Sequence, residues 1–160
     1  IADLPEKLQQ AASADWPGVE ALVSGAESLY VLGRGPAFPI AAETALKMKE
    51  TCAIHAEAYS LAEVMHGPLE LLAPGFPVLA YVPNDAAFLA SRPAIAALRR
   101  TGANIVEVGQ EGQPYVQTGH PLLEPLSIIQ SMYPAIERVS RVLGRNPDQP
   151  AHLRKVTETL

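Results

Sequence analysis

Apolar positions in this chain fall in blocks rather than in strict alternation. Residues 28–32 (SLYVL), 76–82 (FPVLAYV) and 104–108 (NIVEV) are short, nearly unbroken apolar runs, the pattern of strands buried on both faces. Between them the apolar positions take helical spacing. Leu4, Leu8 and Ala12 predict a helix opened by Asp3, Pro5 and Glu6. Trp16-Pro17-Gly18 breaks it, and Leu22, Val23 and Ala26 predict a short second one. Longer helices are predicted over about 37–51, 86–100 and 122–143, with Pro36, Gly102 and Gly144 as their punctuation. Pro134 inside the last should kink it or mark a junction. Residues 54–60 (IHAEAYS) alternate in polarity and read as an extended connection. A helical piece from Leu61 to Leu72 is interrupted at His66-Gly67-Pro68. The stretch 109–121 reads as loop, with one short strand at Tyr115–Val116, and 145–160 is a polar tail.

Strands alternating with helices over short connections predict an α/β domain: a three-layer αβα sandwich around a mostly parallel, doubly wound sheet. Ligands on such sheets are expected at the carboxyl ends of the strands, near the point where the strand order reverses.

Composition narrows the function. A length of 160 residues suits one domain with its own core. Seventeen acidic against twelve basic residues leave a net charge of −5, which argues against a nucleic-acid partner. No basic cluster favours an anionic membrane, and no apolar run reaches the ~18 residues of a membrane span. The first residues, IADLPEKLQQ, show no signal-peptide pattern, and a start at Ile rather than Met suggests a chain trimmed or cut from something longer. Cys52 is the single cysteine, so an internal disulfide and a multi-thiolate metal site are excluded, and a reducing cytoplasm is the expected compartment. A small anionic substrate is compatible with all of this, because one local site binds it whatever the global charge.

Three segments carry candidate chemistry. Gly33-Arg34-Gly35 follows a predicted buried strand and precedes a helix, as an anion-binding turn does. The third glycine of a dinucleotide fingerprint would fall at Phe38, so that motif is broken, and a tight strand-to-helix turn explains the glycines equally well. Glu43, Lys47 and Glu50 share one helix face; spacing alone fits a solvated salt-bridge stripe better than a site. Cys52, at the end of that helix, reads as packed. The segment HAEAYSLAEVMHGP gathers His55, Glu57, Tyr59, Glu63 and His66, residues suited to proton transfer near neutral pH. His55 fits a plain polar connection equally well; His66, at a helix break, fits it less well. No H-E-x-x-H spacing supports a metal, and no G-x-S-x-G supports a serine nucleophile.

The run LGRGPAFPIAAETALKMKETCAIHAEAYSLAEVMHGPLELL, followed at the tail by DQPAHLRKVTE, resembles the second sugar-isomerase (SIS) lobe of the isomerase part of glucosamine-6-phosphate synthase and its relatives lacking a glutaminase domain. The likeness spans nearly the whole chain. It implies that residues 1–160 form a single SIS domain, the C-terminal half of a two-lobe protein, with 145–160 reaching an active site. In that family the last acid of K-x-K-E moves a proton between sugar C1 and C2; the matching residue is Glu50. The first lysine of the motif matches Lys47, the H-G-P histidine that assists ring opening from a neighbouring subunit matches His66, and the near-terminal lysine that enters the active site matches Lys155. Glu63 matches another acid of the segment. Glu63, Arg154, Gly33 and Gly35 are the candidate substrate contacts.

Met65 stands where the synthases usually carry a basic side chain, and the family's Ser/Thr-rich phosphate turn is missing. Residues 83–85 read Pro-Asn-Asp after the second apolar run, and Gly-Arg-Gly-Pro follows the first. The expectation is therefore half an active site: a module for aldose–ketose proton transfer on an amino-sugar phosphate, as deaminase, synthase-like isomerase or deglycase. It would work without metal or cofactor, in a homodimer, with a first SIS lobe supplying the phosphate cradle. The alternative is a non-catalytic SIS lobe that binds sugar phosphates as a regulatory or scaffold module.

Overall fold

The computed structural model describes residues 2–153. Helices α1 (Leu4–Ala12) and α2 (Pro17–Val23) lead into β1 (Ser28–Gly33), α3 (Phe38–Lys47) and β2 (His55–Ser60). Then come β3 (Pro77–Val82), α4 (Phe88–Arg100), β4 (Asn104–Gly109) and α5 (Glu124–Val142). The four strands form one all-parallel sheet in the order β2-β1-β3-β4. The chain winds one way from β1 to β2, then crosses to the other side for β3 and β4, so the switch lies between β1 and β3.

Alternate strand residues divide the core into two. Leu29, Val31, Ala56, Leu79, Tyr81 and Val108 face α2, α3 and α5, whereas Tyr30, Leu32, Val78, Ala80 and Val82 face α4 and the segment 61–72. Both faces of β1 and β3 are therefore buried, which is why their sequences read as continuous apolar runs. The buried Tyr81 hydroxyl meets Thr44 Oγ1 at 2.8 Å and ties β3 to α3. Helix α5 is held across the amino side of the domain, where Ser131 donates to the Ala11 carbonyl and Ser140 to the Thr51 carbonyl.

Several local expectations are corrected. Residues 55–60 are not a connection but the edge strand β2, paired along their whole length with β1, Ser28 opposite His55 and Gly33 opposite Ser60. Their alternating polarity is that of an edge strand: Ala56 is buried on one face, while His55, Glu57 and Tyr59 line a more open one. The helix expected to Thr51 ends its α-helical course at Lys47 and closes in a π-helical turn, Met48–Cys52. The segment 61–72 forms two 3-10 turns, Glu63–His66 and Pro68–Leu71, separated by Gly67 at φ 146°. No strand forms at Tyr115–Val116; the loop makes a single bridge between Val108 and Gln113. Pro134 lies inside α5 without ending it, as Pro93 does in α4. In each case the residue four positions earlier, Gln130 or Leu89, whose carbonyl the proline cannot pair, is exposed.

Candidate functional site

Helix α3 carries the first cluster. After leaving the carboxyl end of β1 it runs back along the sheet, so its last turn sits at the amino edge, where the Ile54 amide donates to the Met48 carbonyl and the His55 amide to the Glu27 carbonyl. Met48 and Cys52 point into the core. The wider π-helical turn leaves Lys47 and Glu50 on the open side, half-buried at 28% and 29% exposure. Lys47 Nζ donates to Glu50 Oε2 at 2.5 Å and lies 3.7 Å from Glu43 Oε1. The hydrogen bond to Glu50 raises the Lys47 pKa above the ordinary lysine value, and the charges of Glu50 and Glu43 add to the shift. The face that spacing alone assigned to a solvated stripe is thus a compact acid–base–acid array. Cys52 is packed as expected, and burial pushes its thiol pKa up.

Glu50 also lines a cavity of about 640 Å³. Lys49, Glu50 and Thr51 form one wall; Arg145, Gln149 and His152, from the segment after α5, form another. The turn under the cavity ends at Ala53, whose φ of 52° and ψ of 36° put it in the left-handed region. This cavity borders the amino edge of the sheet, not the carboxyl ends of the strands where a ligand was expected. The reason is topological: α3 returns its chemistry to the far end of the sheet.

At the carboxyl ends the Gly33–Gly35 turn is closed on itself. A Cβ on Gly33 would stand 2.5 Å from the Ala37 carbonyl oxygen, and Gly35 has φ of 55°, so both glycines are accounted for by the turn. Arg34 reaches across the switch point and donates to the Ala90 carbonyl at 2.9 Å. Beyond β3, the Asn84 amide donates to the Tyr115 hydroxyl, and Asp85 Oδ1 accepts from the Ala87 amide.

Glu63 and His66 lie on the opposite face of the sheet from α3. Leu61, Val64 and Leu72 anchor their segment in the second core, and the Tyr30 hydroxyl donates to the Pro68 carbonyl at 3.2 Å. Both residues are exposed, and the His66 ring has no hydrogen-bond partner among the described residues. The structure therefore brings Glu50 and Lys47 together and leaves His66 and Glu63 apart from them, outside the cavity walls. His55 is exposed beside Glu57, at 3.5 Å. Glu57 accepts from the Tyr59 hydroxyl at 2.5 Å, which raises the Tyr59 pKa to about 12. Arg154 and Lys155 lie outside the described residues.

Sequence reasoning missed Lys49, Arg145 and His152 as cavity residues and Tyr133 as a neighbour of Glu43. Lys49 was legible as the second lysine of K-x-K-E; the other three depend on how α5 and the segment after it pack near α3, which periodicity does not encode. Among the described residues no group of three or more His, Cys, Asp or Glu is arranged to hold a metal ion, and no helix is long and apolar enough to cross a membrane.

Fold and site together define a doubly wound α/β lobe with an acid–base–acid array beside a tail-lined cavity. A sequence profile of the SIS domain matches residues 22–118, and the chain belongs to that family. It is 32% identical over 165 residues to glutamine–fructose-6-phosphate aminotransferase (isomerizing) of Pectobacterium atrosepticum, an alignment covering 95% of this chain and 27% of that protein. Among solved structures, one described as a phosphosugar isomerase from Silicibacter pomeroyi DSS-3 superposes with a TM-score of 0.81 at 37% identity, over 92% of this chain and 46% of that one. The C-terminal domain of glucosamine-fructose-6-phosphate aminotransferase from Francisella tularensis gives a TM-score of 0.74 at 26% identity, over 88% of this chain and 42% of that one. The chain thus spans about a quarter of the length of the curated relatives it matches, and less than half of these solved chains.

Proposed function

We propose that this lobe supplies the proton-transfer half of an active site for aldose–ketose isomerisation of a 6-phosphorylated hexose or amino sugar. The observation that carries the reading is the Glu50 carboxylate, ion-paired to Lys47 and lining a cavity of about 640 Å³ under the tail. Isomerisation needs a base that takes a proton from one of two adjacent carbons and returns it to the other, a part that a carboxylate can play. The electron pair released from the C–H bond moves into an enediol or enolamine, whose developing oxygen charge a nearby cation stabilises. Glu50 is the carrier and Lys47 a cation beside it. Lys155, a few residues beyond the cavity wall in sequence, is the second cation, with Arg154 a substrate contact.

His66 and Glu63 serve a site completed by another subunit, so the working unit is a homodimer. A first SIS lobe holds the phosphate, for which the closed Gly33–Gly35 turn offers no cradle. The amino-sugar-phosphate chemistry, as deaminase or synthase-like isomerase in the cytoplasm, rests on the likeness to the aminotransferase relatives.

The test is Glu50→Gln in the intact gene product, assayed on glucosamine 6-phosphate and fructose 6-phosphate. Turnover should fall about 10²–10⁴-fold, the usual worth of a general acid–base group, with substrate binding largely retained. A Gln variant that exchanges the C2 proton with solvent at the normal rate removes Glu50 from the mechanism. The second reading, a regulatory or scaffold lobe, is favoured by one observation: the switch-point turn is spanned by Arg34. Absence of any proton exchange by the intact gene product on these sugars would select it.

A further inference from the structure

Tyr133 of α5 meets the array from outside. Its hydroxyl donates to Glu43 Oε1 at 3.0 Å, the same oxygen that lies 3.7 Å from Lys47 Nζ. Lys47 is thus placed between two carboxylates, Glu43 four residues before it and Glu50 three after it, and is shared unequally: 3.7 Å to one and 2.5 Å to the other. Helix spacing does not require this bias, since pairs at i,i+4 and i,i+3 are both favourable. Besides lying in the α-helical rather than the π-helical part of the segment, Glu43 has a hydrogen-bond donor that Glu50 lacks, the phenol. A hydrogen bond to Glu43 Oε1 draws charge from the oxygen that would otherwise compete for the ammonium, leaving Lys47 to Glu50.

We infer that Tyr133 is a positioning residue that occupies the Glu43 carboxylate and thereby keeps Lys47 on Glu50. Without the hydroxyl, Glu43 Oε1 is free to take Lys47, and Glu50 loses its partner. Burial and the bond to Glu43 raise the Tyr133 pKa, so the phenol stays a donor through the neutral range. The inference rests on the proposed catalytic role of Glu50.

The experiment compares Tyr133→Phe with the double variant Tyr133→Phe/Glu43→Gln in the intact gene product, following kcat, KM and C2-proton exchange on fructose 6-phosphate. The Tyr133 side chain is 45% exposed, and Phe keeps the ring, so the fold should survive; thermal melts confirm it. Tyr133→Phe should lower kcat about three- to tenfold, the range of one hydrogen bond, with little change in KM. Adding Glu43→Gln removes the competing charge and should restore most of the lost kcat. A merely structural Tyr133 would not be rescued by that second change. Unaltered kcat in Tyr133→Phe, or a loss that Glu43→Gln leaves or deepens, overturns the inference. If Glu50→Gln is inactive while Tyr133→Phe behaves as wild type, this inference alone fails; if Glu50→Gln exchanges the proton normally, the reading of the site fails first.

Discussion

Ala53 offers a perturbation whose sign can be worked out in advance. It closes the π-helical turn that carries Glu50, with φ 52° and ψ 36°, and its amide donates to the Met48 carbonyl. An L-residue in the left-handed region costs roughly 1–2 kcal/mol, because Cβ crowds the following carbonyl. Ala53→Gly removes that cost but adds about 0.5–1 kcal/mol of backbone entropy to be lost on folding. The Ala53 side chain is exposed, so no core packing is lost, and the amide bond to Met48 survives the change. The balance favours glycine by up to about 1.5 kcal/mol, or at most roughly 3–6 °C in Tm for a domain of this size. Scanning calorimetry of the 160-residue chain is the assay. Because Ala53 also borders the cavity, the same change should loosen the turn and lower kcat in the intact gene product while Tm rises, a trade expected where strain holds a functional group. A fall in Tm would refute the argument, since it would mean that the left-handed geometry at Ala53 costs less than the backbone entropy that glycine adds.

Three further outcomes are expected. The 160-residue chain alone should bind fructose 6-phosphate or glucosamine 6-phosphate no better than about millimolar by calorimetry, because a closed turn replaces the anion-binding amides and hydroxyls of a phosphate cradle; micromolar affinity would expose a missed site. Mixing intact His66→Ala with intact Glu50→Gln should restore part of the activity, since a hybrid dimer contains one site with both wild-type residues; no recovery after confirmed subunit exchange would take His66 out of a shared site. Stability should decline as pH rises above about 10. Tyr59 and Tyr115 are both raised to about 12, by the bond to Glu57 and by burial respectively, and Lys47 is raised by Glu50. Groups with raised folded pKa values stabilise below their unfolded pKa and lose that contribution as pH passes through the folded one. Urea midpoints at pH 8, 10 and 11 that stay level would contradict these shifts.

The fold was legible where burial imposes a simple pattern. β1, β3 and β4 announce themselves because a parallel strand with helices or turns on both faces cannot hide its apolar run. β2 was read as a connection for the same physical reason in reverse. One of its faces is covered more fully than the other, so Ala56 is buried while Glu57 and Tyr59 remain half-open, and the alternation resembles an extended loop. The 3-10 turns of 61–72 were read as helix because Leu61, Val64 and Leu72 bury themselves at helix-like intervals while Gly67 resets the backbone between them.

The site was legible as residues but not as a place. The resemblance selected Glu50, Lys47 and His66 by motif, and the general rule for doubly wound sheets sent the ligand to the carboxyl ends of the strands. The cavity beside Glu50 lies at the other end of the sheet, and one element puts it there. α3 begins at the carboxyl end of β1 and ends at the amino edge, so an acid in its final turn is carried away from the switch point before it meets the tail. Glu50, in the π-helical turn, then lines the cavity while Met48 and Cys52 stay in the core. His66 is stranded on the other face by the crossing of 61–72, with an exposed ring and no partner among the described residues. The proposed catalytic role of His66 therefore requires a partner surface on another polypeptide copy, which is why the subunit-mixing experiment tests it more directly than replacement of His66 alone. Glu50 needs no such completion for its local geometry, since Lys47, Glu43 and Tyr133 already fix it from within the lobe. The two proposed proton-transfer groups thus differ in what the lobe itself provides: Glu50 sits in a chain of bonds inside this domain, and the proposal for His66 depends on assembly.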